Sequence, residues 1–189
     1  MQPDARDFPC YQPSESTREE NVIMANQTEK NLALAFAAES KAATRNATFA
    51  QKAQKEGFDQ IARLFRAVSA AETVHARRYL MLMRGKVGST EENLETAFQN
   101  EIKANAEEYP KLIKAAYEEN QVKVAEAFSR SRDVEEGHAQ LYKRAMTDML
   151  ADRTTTYYVC QVCGYVSEDH IPDACPICSA VPGKFTQTD

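Results

Sequence analysis

No apolar run in this 189-residue chain approaches the length of a membrane span, and its polar opening, MQPDARDFPCYQPSESTREEN, lacks the hydrophobic core of a signal peptide. Neither a membrane-spanning nor a secreted protein is expected, and the chain is read as cytoplasmic. Positive charge is not in excess: 23 Lys and Arg are interleaved with 28 Asp and Glu, for a net charge of −5. Without a basic stripe there is nothing to grip a phosphate backbone, so nucleic acid is not an expected partner. Helix breakers are scarce from Thr17 to Met149, where Pro110 is the one proline and glycines are few. Cysteine is scarce outside a single cluster. Cys10 sits in the polar arm, while the other four lie between Cys160 and Cys178. An odd count in a reducing compartment argues against a disulfide framework and for metal ligation by the cluster. Cys10 reads as a free thiol.

Hydrophobic residues make up 43% and charged residues 27%, which is ordinary for a globular protein. The length suits one helical domain plus one very small module. The expected organisation is a polar arm over 1–18, a four-helix bundle over 19–151 and a small metal-bound β module over 152–189. Glu56-Gly57, Gly85 to Ser89 and the stretch around Asn120 divide the helical region into four. Ser89 or Thr90 can cap the third helix. Pro110 should kink it.

Each helix carries a stripe at alternating steps of three and four, the spacing of a packed seam. The second helix shows Ile61, Phe65, Val68, Glu72, His75, Tyr79 and Leu82; the fourth shows Val124, Phe128, Ser131, Glu135, His138, Tyr142, Ala145 and Met149. Glu39 follows Leu32 and Phe36 on the first, and Glu101 follows Leu94 and Phe98 on the third. Carboxylates and imidazoles thus stand where apolar residues are expected. The halves also repeat. Asn31, Phe36 and Glu39 recur as Asn93, Phe98 and Glu101, shifted by 62, whereas Phe65, Glu72, His75 and Tyr79 recur as Phe128, Glu135, His138 and Tyr142, shifted by 63. One residue therefore entered the second half between Glu101 and Glu119, near Pro110. An internal duplication of a helix pair explains the pattern.

Each half supplies a lone Glu and a Glu-x-x-His. Residues three apart share one helix face, so both side chains reach one metal pair. Four helices would bring together Glu39, Glu72, Glu101, Glu135, His75 and His138, the ligand arrangement known from di-iron and di-manganese carboxylate bundles. Four buried carboxylates repel one another at a cost of several kcal/mol each. Two divalent cations cancel that charge. Oxygen-rich ligation with one imidazole per metal suits iron or manganese better than zinc or copper. A single Glu-x-x-His would read as a solvated glutamate and a satisfied histidine; two in register with two lone glutamates do not.

At the C-terminus, Cys160-x-x-Cys163 and Cys175-x-x-Cys178 are separated by eleven residues. Two such knuckles form a tetrahedral four-thiolate site, and a module this small draws its folding energy from the metal. The spacing alone fits zinc as well as iron. His170, between the knuckles, reads as an exposed residue.

These residues carry a family resemblance. Ala38-Glu39-Ser40, Glu72-x-x-His75, Asn100-Glu101, Tyr109-Pro110, Glu135-Glu136-Gly137-His138 and the Tyr-x-Cys-x-x-Cys-Gly-Tyr…Cys-Pro-x-Cys pattern resemble rubrerythrin, a ferritin-like di-iron domain fused to a rubredoxin-like domain. The resemblance covers nearly everything after the arm. It implies a di-iron site held by Glu39, Glu72, His75, Glu101, Glu135 and His138, and one iron held by Cys160, Cys163, Cys175 and Cys178. It also implies a peroxidase that reduces hydrogen peroxide to water in oxidative-stress defence, with electrons relayed through the four-cysteine iron from a separate NAD(P)H-linked reductase. Two departures stand out. The family's further glutamate three residues after Glu101 is Ala104 here, and its first-helix tyrosine is Asn46. With Ala42 and Ala104 in matching places the ligand set is nearly symmetric, closer to ferroxidase or oxidase bundles. An iron-handling protein that oxidises Fe(II) with oxygen or peroxide is therefore the alternative. Glu108, on the same stripe, lies about 10.5 Å beyond Glu101 in a regular helix; only a bulge beside Pro110 would bring it near.

The second-to-third connection bears on assembly. In a ferritin-like bundle these helices run parallel, and the return is about 33 Å if the second ends near Arg84 and the third starts near Glu91. The linker from Gly85 to Thr90 spans at most about 25 Å. Either the topology is plain up-and-down, or two chains exchange helix pairs. The expectation is a domain-swapped homodimer with each di-iron site drawn from both chains.

Overall fold

The computed structural model describes residues 15–149 and 154–188, with side chains from 27 onward. Cys10, the first fourteen residues of the arm, and the expected boundary at 151/152 lie outside the described residues. Two compact units are present, one ending at Val87 and one beginning at Gly88.

The first unit is a helical hairpin of α1 (Glu15–Lys55) and α2 (Asp59–Leu82). Helix α1 therefore begins inside the segment expected as a polar arm. Gly57 turns the chain with φ +82, and the Phe58 amide donates to the Ala53 carbonyl to close the end of α1. Among the described residues Ala50, Ala53, Ala62 and Ala76 are the buried side chains, so the hairpin closes through small residues at close approach. Ser69 on α2 donates its hydroxyl to the Ala43 carbonyl of α1 at 2.8 Å. Phe49 and Phe65 meet edge to face at 5.5 Å.

The second unit contains α3 (Thr90–Lys103), a π-helical segment (Ala104–Glu108), α4 (Tyr109–Glu118) and α5 (Val122–Thr147), followed by the cysteine-bearing strands. Ser89 caps α3 with a full capping box: its hydroxyl accepts from the Glu92 amide, and the Glu92 carboxylate accepts from the Ser89 amide. The π segment is where the extra residue of the second half is absorbed. A π turn widens the helix by one residue and restores register afterwards, which accounts for the change of repeat from 62 to 63. Pro110 follows directly, at the second position of α4, where its missing N–H is tolerated. Across the seam, Asn105 donates its amide to the Arg132 carbonyl at 2.8 Å. Positions 105 and 132 are the repeat mates of 43 and 69. The duplicated hairpins therefore carry an interhelical hydrogen bond at the same junction, with donor and acceptor exchanged.

The apolar stripe is left open within each hairpin: Ile61, Leu82, Leu112, Val124 and Met149 are exposed, while Phe36, Phe65, Phe98 and Phe128 are half-buried. Within each hairpin the buried line is mostly alanine, with Ala116, Ala125, Val134 and Ala139 playing that role in the second unit. The apolar and ligand-bearing stripe lies beside that line.

The last element is a three-stranded antiparallel sheet in the order β2-β1-β3: β1 (Tyr157–Cys160), β2 (Val166–Glu168) and β3 (Phe185–Thr188). Val159 faces Val166 on one side and Thr186 on the other. Among the described residues of this sheet module Cys160, Cys175 and Ser167 are the buried ones, so the cysteines form most of its apolar core.

Candidate metal centres

The structure forms two three-residue groups whose donor atoms lie within 4.8 Å of one another: Glu39, Glu72 and His75 in the first unit, and Glu101, Glu135 and His138 in the second. Each thus collects one half of the expected six-residue set. His75 Nδ1 lies 3.0 Å from Glu72 Oε2 and 3.9 Å from Glu39 Oε1. His138 Nδ1 lies 3.0 Å from Glu135 Oε2, reproducing the same i, i+3 pairing.

The carboxylates in each group crowd one another. A hydrogen bond between the Glu39 and Glu72 side chains, helped by burial, raises the Glu39 carboxyl above its usual range. Burial first, and the neighbouring Glu135 second, push Glu101 up to about 7. Without a cation, such groups relieve repulsion by holding protons. A divalent metal relieves it instead, and oxygen donors with one imidazole per group fit iron.

The groups differ in their surroundings. Tyr109 donates its hydroxyl to Glu135 Oε1 at 3.3 Å, and its ring tilts against Phe128 at 6.4 Å. Its repeat mate is Asn46, whose amide donates to its own helix at the Ala42 carbonyl, 3.0 Å away. The phenol on Glu135 therefore has no counterpart on Glu72 among the described residues. His138 Nε2 lies 3.2 Å from the Gly164 carbonyl oxygen. Spacing alone gives no role to Tyr109 or Gly164, although both belong to the motifs of the resemblance. Glu108 is exposed and pairs with Lys103 at 3.3 Å, so the π segment does not bring it to the site. Beside His138 opens a cavity of about 460 Å³, lined by Leu94, Leu141, Tyr142, Ala145, Tyr157 and Val166.

The third group is Cys160, Cys163, Cys175 and Cys178. Cys160 and Cys178 sulfurs lie 3.7 Å apart, and those of Cys163 and Cys175 3.6 Å apart. A disulfide needs about 2.05 Å. A tetrahedral metal with sulfurs at about 2.3 Å has S···S edges of about 3.8 Å. The sulfurs already stand at the metal-bound spacing. Both knuckles turn alike: the Gly164 amide donates to the Cys160 carbonyl and the Ser179 amide to the Cys175 carbonyl. Residues 164 and 179 both have positive φ, +86 and +58, which glycine adopts freely at the first position. Burial pushes the Cys163 and Cys178 thiols up, a cost that metal binding removes by taking them as thiolates. His170 is exposed and makes its ring contact with the Glu168 carbonyl, away from the cysteines.

Helical hairpins bearing paired carboxylate–histidine sets, joined to a four-thiolate sheet module, define a ferritin-like metalloprotein with a rubredoxin-like appendage. The sequence profile of the family described as Rubrerythrin matches residues 30–146, and that of the rubrerythrin rubredoxin-like domain matches 158–186. Nigerythrin from Nitratidesulfovibrio vulgaris is 32% identical over 172 residues, covering 84% of this chain and 85% of the relative. A rubrerythrin from Porphyromonas gingivalis is 32% identical over 181 residues, covering 86% and 90%. The solved structure of mixed-valence nigerythrin superposes with a TM-score of 0.52 at 32% identity, over 85% of this chain and 86% of that one. The all-ferrous form gives 0.52 at 29%, over 97% and 91%. The chain belongs to the rubrerythrin family, whose cofactors are a di-iron carboxylate centre and a four-cysteine iron. Among the described residues no helix is long and apolar enough to cross a membrane.

Proposed function

We propose that this protein is a non-haem di-iron peroxidase that reduces hydrogen peroxide to two waters, consuming two electrons and two protons. The observation that carries the reading is a four-sulfur site at metal spacing within the same compact unit as Glu101, Glu135 and His138. A one-electron relay suits an iron pair that must be re-reduced from outside. Iron, when bound, supplies the electrons and the Lewis acidity for O–O cleavage. Glu39, Glu72, His75, Glu101, Glu135 and His138 would hold it, presenting carboxylates that buffer the change in charge. Tyr109 fixes the orientation of Glu135 by its hydrogen bond. Cys160, Cys163, Cys175 and Cys178 would hold the relay iron, which would supply one-electron chemistry between the bundle site and a separate NAD(P)H-dependent reductase in a reducing cytoplasm.

The active assembly is a homodimer in which α1 and α2 of one chain cover the ligand face of α3 and α5 of another. Helix α2 rises about 15 Å past Glu72, and α3 starts about 16 Å below Glu101. The eight steps from Leu82 to Thr90 reach at most about 29 Å, and a turn closed by the Lys86 amide on the Met83 carbonyl shortens them. The half-exposed ligand stripes and exposed apolar neighbours call for a cover that so short a linker supplies poorly within one chain. A crystal structure with Glu72 and Glu101 of one chain on the same metal pair excludes the exchange.

Ala104 favours a second reading. With no carboxylate three residues after Glu101, the ligand set is nearly symmetric, as suits an Fe(II)-oxidising protein. Stopped-flow mixing of the reduced protein with peroxide and with oxygen separates the two. The peroxidase reading requires peroxide to reoxidise the bundle iron much faster; equal rates transfer the assignment to iron oxidation.

A further inference from the structure

Nine residues before each of the four ligand glutamates stands a charge, and its sign differs between the halves. Lys30 and Arg63 precede Glu39 and Glu72 in this way, whereas Glu92 and Glu126 precede Glu101 and Glu135. Nine residues are about two and a half turns of α-helix, so each charge lies on the side of its helix opposite the ligand stripe. All four are exposed. They are also repeat mates, Lys30 with Glu92 and Arg63 with Glu126, and exposed Lys55 is matched in the same way by exposed Glu118. The wider sequence follows them: residues 27–87 carry 11 Lys and Arg against 5 Asp and Glu, while residues 88–189 carry 10 against 18. Exposed Lys41, Arg66 and Arg77 extend the basic back of the first hairpin, and exposed Glu95 and Glu136 the acidic back of the second. The second back keeps cations of its own, Lys103 and Arg130, within that negative balance. Shape differs at matched positions too. Val74 is 53% exposed, and its mate Gly137 is a helical glycine where a Cβ would meet nothing within 4 Å. Among the cations of the first back, a groove of about 600 Å³ runs between α1 and α2, lined by Ala47, Ala50, Ala70, Lys55 and Arg66.

We infer that the basic back of α1 and α2 is a docking surface for a second copy of this chain, which it meets at the acidic back of that copy's α3 and α5. Two surfaces that share one repeat geometry and differ in sign are complementary, and complementary potentials steer docking and fix its register. Val74 and Gly137 add an apolar knob and an open notch at matched points of the two charged lines. The ligand stripes lie on the opposite sides of the same helices, so this contact leaves them to the metal and its cover. It therefore goes beyond the exchanged pair proposed above. Each copy carries one back of either sign, so the contact is head to tail and extends to further copies, as a ring or an open chain. The second copy is favoured over other anionic partners because the acidic back is always present in equal number with the basic one. Exposed ion pairs contribute little one by one, and the association needs many of them at low screening. The Debye length falls from about 30 Å at 0.01 M salt to about 8 Å at 0.15 M, so the contact should be strongly salt-dependent.

Sedimentation velocity of the full, iron-loaded chain tests it. At about 0.01 M salt the weight-average mass should be at least double that at about 1 M, where the Debye length is about 3 Å. Lys30→Glu with Arg63→Glu reverses the basic line, and Glu118→Lys with Glu126→Lys reverses the acidic one. Each double variant should keep the helical circular dichroism of the wild type and lose the larger species at low salt. Mixed in equal amounts, the two should recover it. The inference is overturned if the wild-type mass is the same at both salts, if either double variant still forms the larger species, or if the mixture fails to. Capture of duplex DNA or of phosphatidylglycerol vesicles by the wild type and not by the Lys30→Glu, Arg63→Glu chain, with no larger species at low salt, assigns the basic back to another polyanion and also overturns it. A chain that is monomeric at high salt yet associates at low salt in the expected pattern would defeat the helix exchange and leave this inference standing.

Discussion

Tyr109 donates its hydroxyl to Glu135 Oε1 at 3.3 Å, from the first residue of α4 onto the ligand face of α5. The π segment just before it sets the phase at which Tyr109 leaves the helix, so one inserted residue and one hydrogen bond belong to the same device.

Replacing Tyr109 by Phe keeps the ring against Phe128 and removes only the hydroxyl. The lost hydrogen bond should cost about 0.5–1.5 kcal/mol of stability in the metal-free protein. Removing a partner of this kind should weaken iron binding at the bundle by roughly 10–100-fold, measured by chelator competition. The four-cysteine iron should retain its affinity. Equal weakening of both sites would mean that Tyr109 supports the fold as a whole.

The metal-free protein should lose stability as pH rises. Glu101 is pushed up to about 7 by burial and the neighbouring Glu135, and Glu39 is raised as well, by its hydrogen bond with Glu72 and then by burial. A raised carboxyl binds its proton more tightly in the folded chain than in the unfolded one. Its stabilising contribution is therefore complete below the ordinary value of 4.5 and is lost as pH passes about 7. Iron binding needs these groups ionised, so the loaded protein should show the opposite slope over the same range. Thermal melts of both forms from pH 5 to about 8 check the sign. A metal-free melting temperature that climbs over this range contradicts it.

Glu72-x-x-His75 and Glu135-x-x-His138 were legible because their spacing is that of one helix face, and Glu39 and Glu101 because they recur in register. The step from 62 to 63 in that repeat located an insertion, and the π segment at Ala104–Glu108 lies within the interval so defined. The four cysteines were legible from spacing, since a knuckle is a local turn. What pattern could not show is how neighbouring elements meet. Asn105 on the Arg132 carbonyl, Tyr109 on Glu135 and His138 on the Gly164 carbonyl each join residues 26 or 27 positions apart. Glu108 misled for the reverse reason: its stripe position was right for the site, but the widened turn left it at the surface with Lys103.

Cys160→Ser should unfold the sheet module and leave the helices intact. Cys160 is 1% exposed and Cys175 2%, and with Ser167 they are all that the module buries among the described residues. A structural four-ligand site contributes on the order of 10 kcal/mol to such a fold, far more than this module's apolar contacts supply. Far-UV circular dichroism at the helical minima should change little, while amide dispersion from residues 157–188 collapses. Retention of that dispersion would show that the module folds without its metal. The wild-type protein should also display a ferric four-thiolate absorption in the visible, which zinc at this site cannot produce.

Ala104→Glu tests the departure from the family pattern. Ala104 is half-buried, opens the π segment and lies three residues after Glu101, so a carboxylate there would share its face. In the metal-free protein it adds a third acid to a pair that already holds Glu101 partly protonated near neutral pH. The local like-charge repulsion alone should cost about 0.2–0.5 kcal/mol, growing with pH. In the iron-loaded protein the added carboxylate makes the ligand set unequal on the two sides, favouring a site that holds its two irons differently. The ratio of peroxide to oxygen reoxidation rates should rise severalfold over wild type. If the ratio is unchanged while iron affinity increases, the new carboxylate binds metal without setting selectivity, and the asymmetry supplied by Tyr109 and the Gly164 carbonyl is enough on its own.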